Sequence, residues 1–304
     1  MRAVVVVAGW VVPARRHEKR LSLAGCARQT ASMPDGIVRW PDRPVTPGRV
    51  AVVTASYNTR ELTCLMLWSL RRILEWESLE IVVVDNGSKD GSAELLAKID
   101  AAGGCRLIAN ASNAMHGPAL TQAMSFLASR GSGLPRWVWV LDSDVVISRP
   151  DALQKAVDRA KETDAAIVGE SWWDPWDETY SFLAYSLLID PIRVWRDGIE
   201  PFADGGDPAG GLLRSAKAQG ETLSEFPFVK DRYVVHRGRG SLSAVWESGE
   251  TTHPSYEWAR DHHEPHFGLV EGAAALHDEL MTAFRAEVGP LDDQKAVEAF
   301  AIRA

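Results

Sequence analysis

Three polar clusters could do chemistry. The first is Asp142-Ser143-Asp144, which follows the apolar run Arg136 to Leu141 (RWVWVL). Two carboxylates at i and i+2, where a strand ends, can share a hard divalent cation that also takes phosphate oxygens as ligands. The plain alternative is that Asp144 caps a turn and Asp142 is merely exposed. The second is Asp85, which ends Glu80 to Asp85 (EIVVVD) and leads into Asn86-Gly87-Ser88. A carboxylate there can accept hydrogen bonds from a base or a ribose. It can equally cap the turn, and Gly87 serves a tight turn in either case. The third is His236, at the end of Tyr233 to His236 (YVVH), followed by Arg237-Gly238-Arg239-Gly240-Ser241. Neutral imidazole is a good transition-metal ligand, and guanidinium groups can meet phosphates bidentately. The alternative is a core histidine beside a surface loop.

These clusters need elements to bring them together. Arg49 to Ala55 (RVAVVTA) is short, β-branched and almost continuously apolar, the pattern of a buried strand. Asn58 and Thr59 offer a helix start, and Leu62, Leu65, Met66, Leu70 and Ile73 recur at helical spacing. Further strands are expected at 80–85, 105–110, 136–141, 165–169 and 233–236, and helices at about 91–101, 118–130, 150–163 and 209–219. Strands alternating with helices predict an α/β fold, with a mostly parallel sheet flanked by helices. Ser56-Tyr57-Asn58, Asp85 to Ser88 and Asp142 to Asp144 then lie at the C-terminal ends of three strands and face one crevice. Beyond residue 170 the pattern weakens, with Trp172, Trp173, Trp176 and Tyr180 among acids; residues 269–303 read as a helical C-terminal segment.

Composition narrows the classes. Of 304 residues, 33 are Lys or Arg and 41 Asp or Glu, so the net charge of -8 argues against a nucleic-acid partner. Cys26, Cys64 and Cys105 form neither a disulfide framework nor a CxxC zinc site, which suits a reducing compartment. The twelve tryptophans could stack on sugar rings or fill a core. The apolar run Ala3 to Val12 is too short to span a bilayer and lacks a signal-peptide cleavage pattern. No transmembrane segment is expected. Residues 1–32 are expected to be a mobile or edge-strand extension, with Met33 an alternative start, and the proline-rich stretch 34–48 has linker composition. His253, His262, His263 and His266 could suggest zinc, but Pro265 interrupts any helix aligning His262 with His266, and a polar loop is expected instead. There is no GxGxxG after a strand, no GxxxxGK[ST] and no GxSxG.

Together these stretches resemble the family 2 glycosyltransferases, which have the GT-A (Rossmann-like) fold. The resemblance runs through RVAVVTASYNTRELTCLMLWSL, EIVVVDNGSKDGS, NASNAMHGPALTQAM and VWVLDSDVVI. It covers residues 49–150 well and extends loosely to 245, so the expected organisation is an extension and linker (1–48), a transferase domain (49–245) and a C-terminal loop and helical extension (246–304).

The resemblance implies a nucleotide-diphosphate sugar donor, a Mn2+ or Mg2+ ion, inverting transfer to an acceptor hydroxyl, and a cytoplasmic location, at most peripheral to the membrane. The acceptor would be a glycan, a lipid-linked sugar or a small metabolite. Thr54, Ser56, Asn58, Asp85, Asn86, Gly87, Ser88, Asp142 and Ser143 would border the nucleotide; Asp142, Asp144 and His236 would hold the metal; His116, Arg237 and Arg239 would serve phosphate or acceptor. The segment PFADGGDPAGGLLRSAKAQG resembles the acceptor-side element with its catalytic carboxylate, here Asp207 first and Asp204 second, although Gly206-Asp207 stands where the family has a Glu-Asp pair. Pro208 after Asp207 also makes Asp207 a natural helix N-cap. Two other readings compete: a haloacid-dehalogenase-type phosphatase with Asp142 as nucleophile, and a degenerate transferase fold that only binds.

Overall fold

The computed structural model describes residues 5–7, 10–12, 36–76, 78–174, 179–204, 207–292 and 294–300. Cys26, Met33, Pro34, Trp176 and the pair Gly205-Gly206 lie outside them. The chain is built on a seven-stranded sheet. Its strands are β1 (Val45–Ser56), β2 (Leu79–Asp85), β3 (Arg106–Ala109), β4 (Leu134–Leu141), β6 (Ile167–Gly169), β7 (Ser186–Ile189) and β8 (Leu223–Glu225). Between β4 and β6 lies β5 (Val145–Ile147), which pairs outside this sheet with β9 (Val234–His236). The sheet order is β8-β6-β7-β4-β1-β2-β3. All neighbours are parallel except β7, which runs antiparallel to both β4 and β6.

The apolar runs become the strands because both faces of the sheet are covered. Val50 and Val52 face one core, Ala51 and Val53 the other, as the two-residue pleat requires. On the first face pack α1 (Arg60–Arg72), α2 (Ser92–Ala101), α4 (Ala152–Glu162), α8 (Ala273–Val288) and α9 (Gln294–Phe300), through Leu65, Leu95, Leu153, Leu280 and Val297. On the second pack α3 (His116–Ala128) and α5 (Gly210–Ala218), through Leu120 and Leu212. Helices α6 (Gly240–Ser248) and α7 (Tyr256–His262) follow β9, and a single helical turn, Pro191–Val194, follows β7. No helix among the described residues is long and apolar enough to cross a membrane.

The expected α/β sheet is present, with four differences. Strand β7 is an antiparallel insertion whose Ser186 Oγ receives the buried Trp139 indole N–H at 3.1 Å. Residues 256–262, expected as loop, form α7, and only the following turn carries Pro265. The N-terminal run forms a separate antiparallel ribbon, Val5–Val7 with Trp10–Val12. The stretch read as linker packs onto the fold at Val38 to Trp40, while Asp42 to Pro44 and Thr46 to Gly48 stay exposed. Strand β1 starts at Val45 opposite Leu134, Trp40 is buried, and its amide donates to the Trp195 carbonyl at 2.8 Å. The Trp195 indole donates back to Val38 O at 2.8 Å.

This packing is testable. Trp40→Ala removes a buried ring, but one whose indole nitrogen has no partner. The expected loss is therefore about 2–3 kcal/mol, below the usual range for tryptophan truncation. A lower urea midpoint at unchanged slope would show it; an unchanged midpoint would mean that residues 38–40 add nothing to the core.

Candidate functional site

The Asp142-Ser143-Asp144 turn is fixed from three sides. Leu141 ends β4, the Asp142 amide donates to Tyr185 O at 3.1 Å, and the Val145 amide closes back onto Asp142 O at 3.1 Å. Strand β5 then pairs with β9 so that Val145 lies opposite His236. That register carries His236 back beside the two aspartates. Its Nε2 lies 3.3 Å from Asp144 Oδ1 and 3.6 Å from Asp142 Oδ2. One ligand atom from each residue fits within 4.8 Å of the others.

The electrostatics of the cluster follow from its burial. Asp144 is 4% exposed, and burial opposes its charge, but His236, the Gly240 amide (2.9 Å from Oδ2) and Arg237 outweigh that and pull its pKa down to about 2. Burial likewise opposes an imidazolium at His236, yet Asp144 and Asp142 push its pKa up to about 10. These ion-pair distances are not accompanied by hydrogen-bond geometry. His236 Nε2 and Asp142 Oδ1 are buried atoms without a hydrogen-bond partner. Two carboxylates and an imidazole with unmet lone pairs fit a divalent transition cation. The proton on His236 is what such a cation would replace.

His236 is held between two rings. Tyr185 stacks on it at 4.7 Å and 18°, and His266 meets it edge-on at 6.0 Å. The Tyr185 hydroxyl donates to Glu170 Oε2 at 2.7 Å and accepts from the Trp172 indole. Glu170 is fully buried and also accepts from the Val229 and Lys230 amides at 2.8 and 3.0 Å. Burial and Glu170 push the Tyr185 pKa up, so the phenol keeps its proton.

The strand ends meet as expected, but not every side chain points into the crevice. Ser56 and Ser143 turn into a buried hydroxyl cluster. Ser56 Oγ lies 3.2 Å from Thr59 Oγ1 and 3.0 Å from Thr63 Oγ1, and Thr59 Oγ1 lies 3.1 Å from Ser143 Oγ. With Ser56 wholly buried and Ser143 at 5% exposure, their hydroxyls tie β1, α1 and the aspartate turn together. Thr54 Oγ1 is buried without a partner. Asp85 divides its labour: Oδ1 accepts from Gly87 and Ser88 amides at 3.1 and 3.0 Å, while Oδ2 is buried and unpartnered.

Asn86 holds the neighbouring loop, donating to Met115 O at 3.1 Å and accepting from Asn110 Nδ2 at 2.9 Å. Gly87 needs to be glycine, having φ +75° and Ser112 Cα 2.9 Å from where a Cβ would sit. Asn58, also at positive φ, donates its amide to Ser88 Oγ at 2.9 Å and accepts from the Lys89 amide at 2.7 Å.

His116 opens α3 and places Nε2 3.3 Å from Asp142 Oδ1. The next amide, Gly117, donates to Asp204 Oδ1 at 3.1 Å, so exposed Asp204 adjoins the aspartate turn. Asp207 differs. Its Oδ1 accepts from the Ala184 amide and its Oδ2 from the Ala209 amide, each at 3.1 Å. Helix α5 starts only at Gly210, so Asp207 braces an Asx-type turn and is not the expected N-cap. The Arg237 amide bonds Asp144 O at 3.2 Å, and its guanidinium donates to Ser243 Oγ at 3.1 Å. Arg239 takes a left-handed conformation just before α6.

The clustered histidines separate. His253 stacks on Tyr57 at 5.1 Å, while His262 and His263 bond carbonyls of their own helix. Tyr57 also donates to Glu250 Oε2 at 2.9 Å, and Lys89 pairs with Glu250 Oε1 at 2.9 Å. Tyr185, Glu170 and Glu250 had no signal in the sequence, since each is isolated in a stretch without recognisable spacing, and His266 stood out only as one of four clustered histidines.

With this geometry established, known proteins can be compared. The family model described as Glycosyl transferase family 2 matches residues 51–199. This segment belongs to glycosyl transferase family 2. The membership decides against the phosphatase alternative. No curated protein matches this glycosyltransferase. Among solved structures it is similar to a mannosyltransferase from Pyrobaculum calidifontis, in complex with GDP-Man and Mn2+, at 16% identity and TM-score 0.49 over 82% of this chain and 80% of that one. It is also similar to glucosyl-3-phosphoglycerate synthase from Mycobacterium tuberculosis, at 17% identity and TM-score 0.44 over 59% of this chain and 70% of that one.

Gly240 provides a test of the cluster that leaves its ligands intact. A Cβ there would lie 3.0 Å from Asp144 Oδ2 and 3.1 Å from Asp144 Cβ. Gly240→Ala should displace the carboxylate and weaken Mn2+ binding about tenfold, worth about 1.4 kcal/mol, with a nearly unchanged melting temperature. Isothermal titration with Mn2+ reads this, and equal affinity in both proteins would detach Asp144 from metal binding.

Proposed function

We propose that this glycosyltransferase moves a sugar from a nucleoside-diphosphate sugar to an acceptor hydroxyl, with inversion, and that Asp142, Asp144 and His236 hold a Mn2+ or Mg2+ ion at the donor diphosphate. The observation that carries the reading is the convergence of two carboxylates from the family 2 segment with an imidazole from beyond it, Asp142 Oδ1 and His236 Nε2 being buried without a hydrogen-bond partner. A cation held there supplies positive charge to the departing diphosphate.

The chain's own groups take the remaining roles. Asp85 Oδ2, buried and unmet, accepts a hydrogen bond from the base or ribose. Asn86, Gly87, Ser88 and Asn58 shape that subsite through the turn they stabilise. Thr54 lies beneath it with its hydroxyl unmet. Arg237 and Arg239 bring cationic charge to the mouth of the cluster for the phosphates. His116 holds Asp142 from the α3 side.

A general base must reach the attacking hydroxyl. Asp204 is exposed and tied through Gly117 to the residue that contacts Asp142, whereas both oxygens of Asp207 accept backbone amides. We therefore assign the proton to Asp204 and give Asp207 the task of holding the loop. The hydroxyl proton passes to the Asp204 carboxylate as its oxygen bonds the anomeric carbon. The bond to the diphosphate breaks, and the diphosphate leaves with the electron pair.

Two measurements test this. Titration of UDP and GDP should show binding strengthened by Mn2+ in the wild type. Asp144→Asn should lose at least tenfold in affinity with Mn2+ and almost nothing in EDTA; equal losses in both would remove the metal from the diphosphate site. Donor hydrolysis by water, without acceptor, should fall about a hundredfold in Asp204→Asn at unchanged UDP affinity. A comparable fall in Asp207→Asn alone would return the base to Asp207, and no hydrolysis in the wild type would favour a protein that only binds.

A further inference from the structure

We propose that the hairpin Ser171–Asp174/Thr179–Phe182 carries an acceptor subsite for a neutral pyranose, formed by Trp173 and Tyr180. This inference rests on the transferase reading and adds the acceptor class to it.

The hairpin register pairs Tyr180 with Trp173 and Ser181 with Trp172. Alternation across a pleat sends these two pairs to opposite faces. Trp172 faces inward and bonds Tyr185, whereas Trp173 and Tyr180 face solvent at 52% and 73% exposure. Their rings meet edge-to-face at 5.6 Å, a fixed aromatic corner on the surface. Solvent exposure of two paired large rings is costly unless something covers them.

Both roots of the hairpin are tied to the site. The first follows Glu170, which orders Tyr185 behind His236. The second leads to Ala184, whose amide donates to Asp207 Oδ1 in the loop that carries Asp204. The strand that carries Trp173 thus leaves from the wall behind His236, and the strand that carries Tyr180 returns to the loop braced by Asp207.

The occupant follows from chemistry. An aromatic face packs against the C–H face of a pyranose, leaving the sugar's hydroxyls to polar groups and water. Residues 171–182 contain no Lys or Arg. Lys230 bonds Ser171 O at 2.9 Å but lies over Trp172, on the face opposite Trp173 and Tyr180, so the exposed aromatic face gains no cation from it to hold a phosphate or an anionic lipid.

Saturation-transfer difference NMR on the full chain with UDP and Mn2+ tests the assignment, using cellotriose, mannotriose and chitotriose as probes. We expect transfer to the ring protons of at least one trisaccharide in the wild type, a fall of at least fivefold in W173A/Y180A, and most of the signal kept in Trp173→Phe. No transfer to any probe in the wild type, or equal transfer in the double variant, overturns the assignment. So does Trp173-dependent sedimentation with phosphatidylglycerol vesicles without sugar transfer. UDP affinity measured on the same samples reports the donor site separately: its absence in the wild type would fail the donor reading, whatever the sugars do.

Discussion

Asp144 is a charged carboxylate in a place almost without water, and the functional end of the molecule is organised around keeping it charged. An isolated buried carboxylate would take up a proton rather than bear the cost of desolvation. Here the charge is met by an imidazole, a helix-terminal amide and the field of Arg237. Each of these comes from the β9–α6 connection, far from Asp144 in sequence. The pairing of β5 with β9 is therefore the join on which the site depends. It also explains why Gly240 is glycine, because a Cβ there would crowd Asp144 and Leu62 and make the carboxylate shift.

A second constraint acts from the α3 side. Met115 adopts φ 68° and ψ 172°, a region that costs a residue with a Cβ about 1–3 kcal/mol. Its carbonyl accepts from Asn86 and its amide donates to Asn113 Oδ1, so the strain is held by the loops after β2 and β3. The result is that His116, one residue later, starts α3 against Asp142. The residues that sequence reading associates with a nucleotide thus also orient the opposite wall.

The sheet and the crevice were legible in the sequence because both rest on short-range patterns. Apolar runs of six or so residues ending in Ser-Tyr-Asn, Asp-Asn-Gly-Ser and Asp-Ser-Asp can only be parallel strands whose ends coincide. His236 was legible for the same reason, as the polar end of an apolar strand. Direction within a strand end was not. Ser56 and Ser143 look like cleft residues, yet their hydroxyls find each other's neighbours in the interior, and no periodicity encodes that choice. The antiparallel β7 was hidden because Ser-Leu-Leu-Ile carries no sign of its direction, and with it were hidden Tyr185 and Glu170. Asp204 and Asp207 are indistinguishable as letters; only the amides that each accepts separate them. Trp40 shows the reverse error, a proline-rich stretch read as linker because composition does not reveal a single buried ring.

The central claim is that His236 and the two aspartates are ligands of one divalent ion. Pulsed electron paramagnetic resonance of Mn2+ bound with UDP addresses it directly, since an imidazole ligand adds nitrogen modulation to the manganese echo. The account predicts that modulation in the wild type and its disappearance in His236→Gln, with the protein still folded. The same spectrum in both proteins would contradict it.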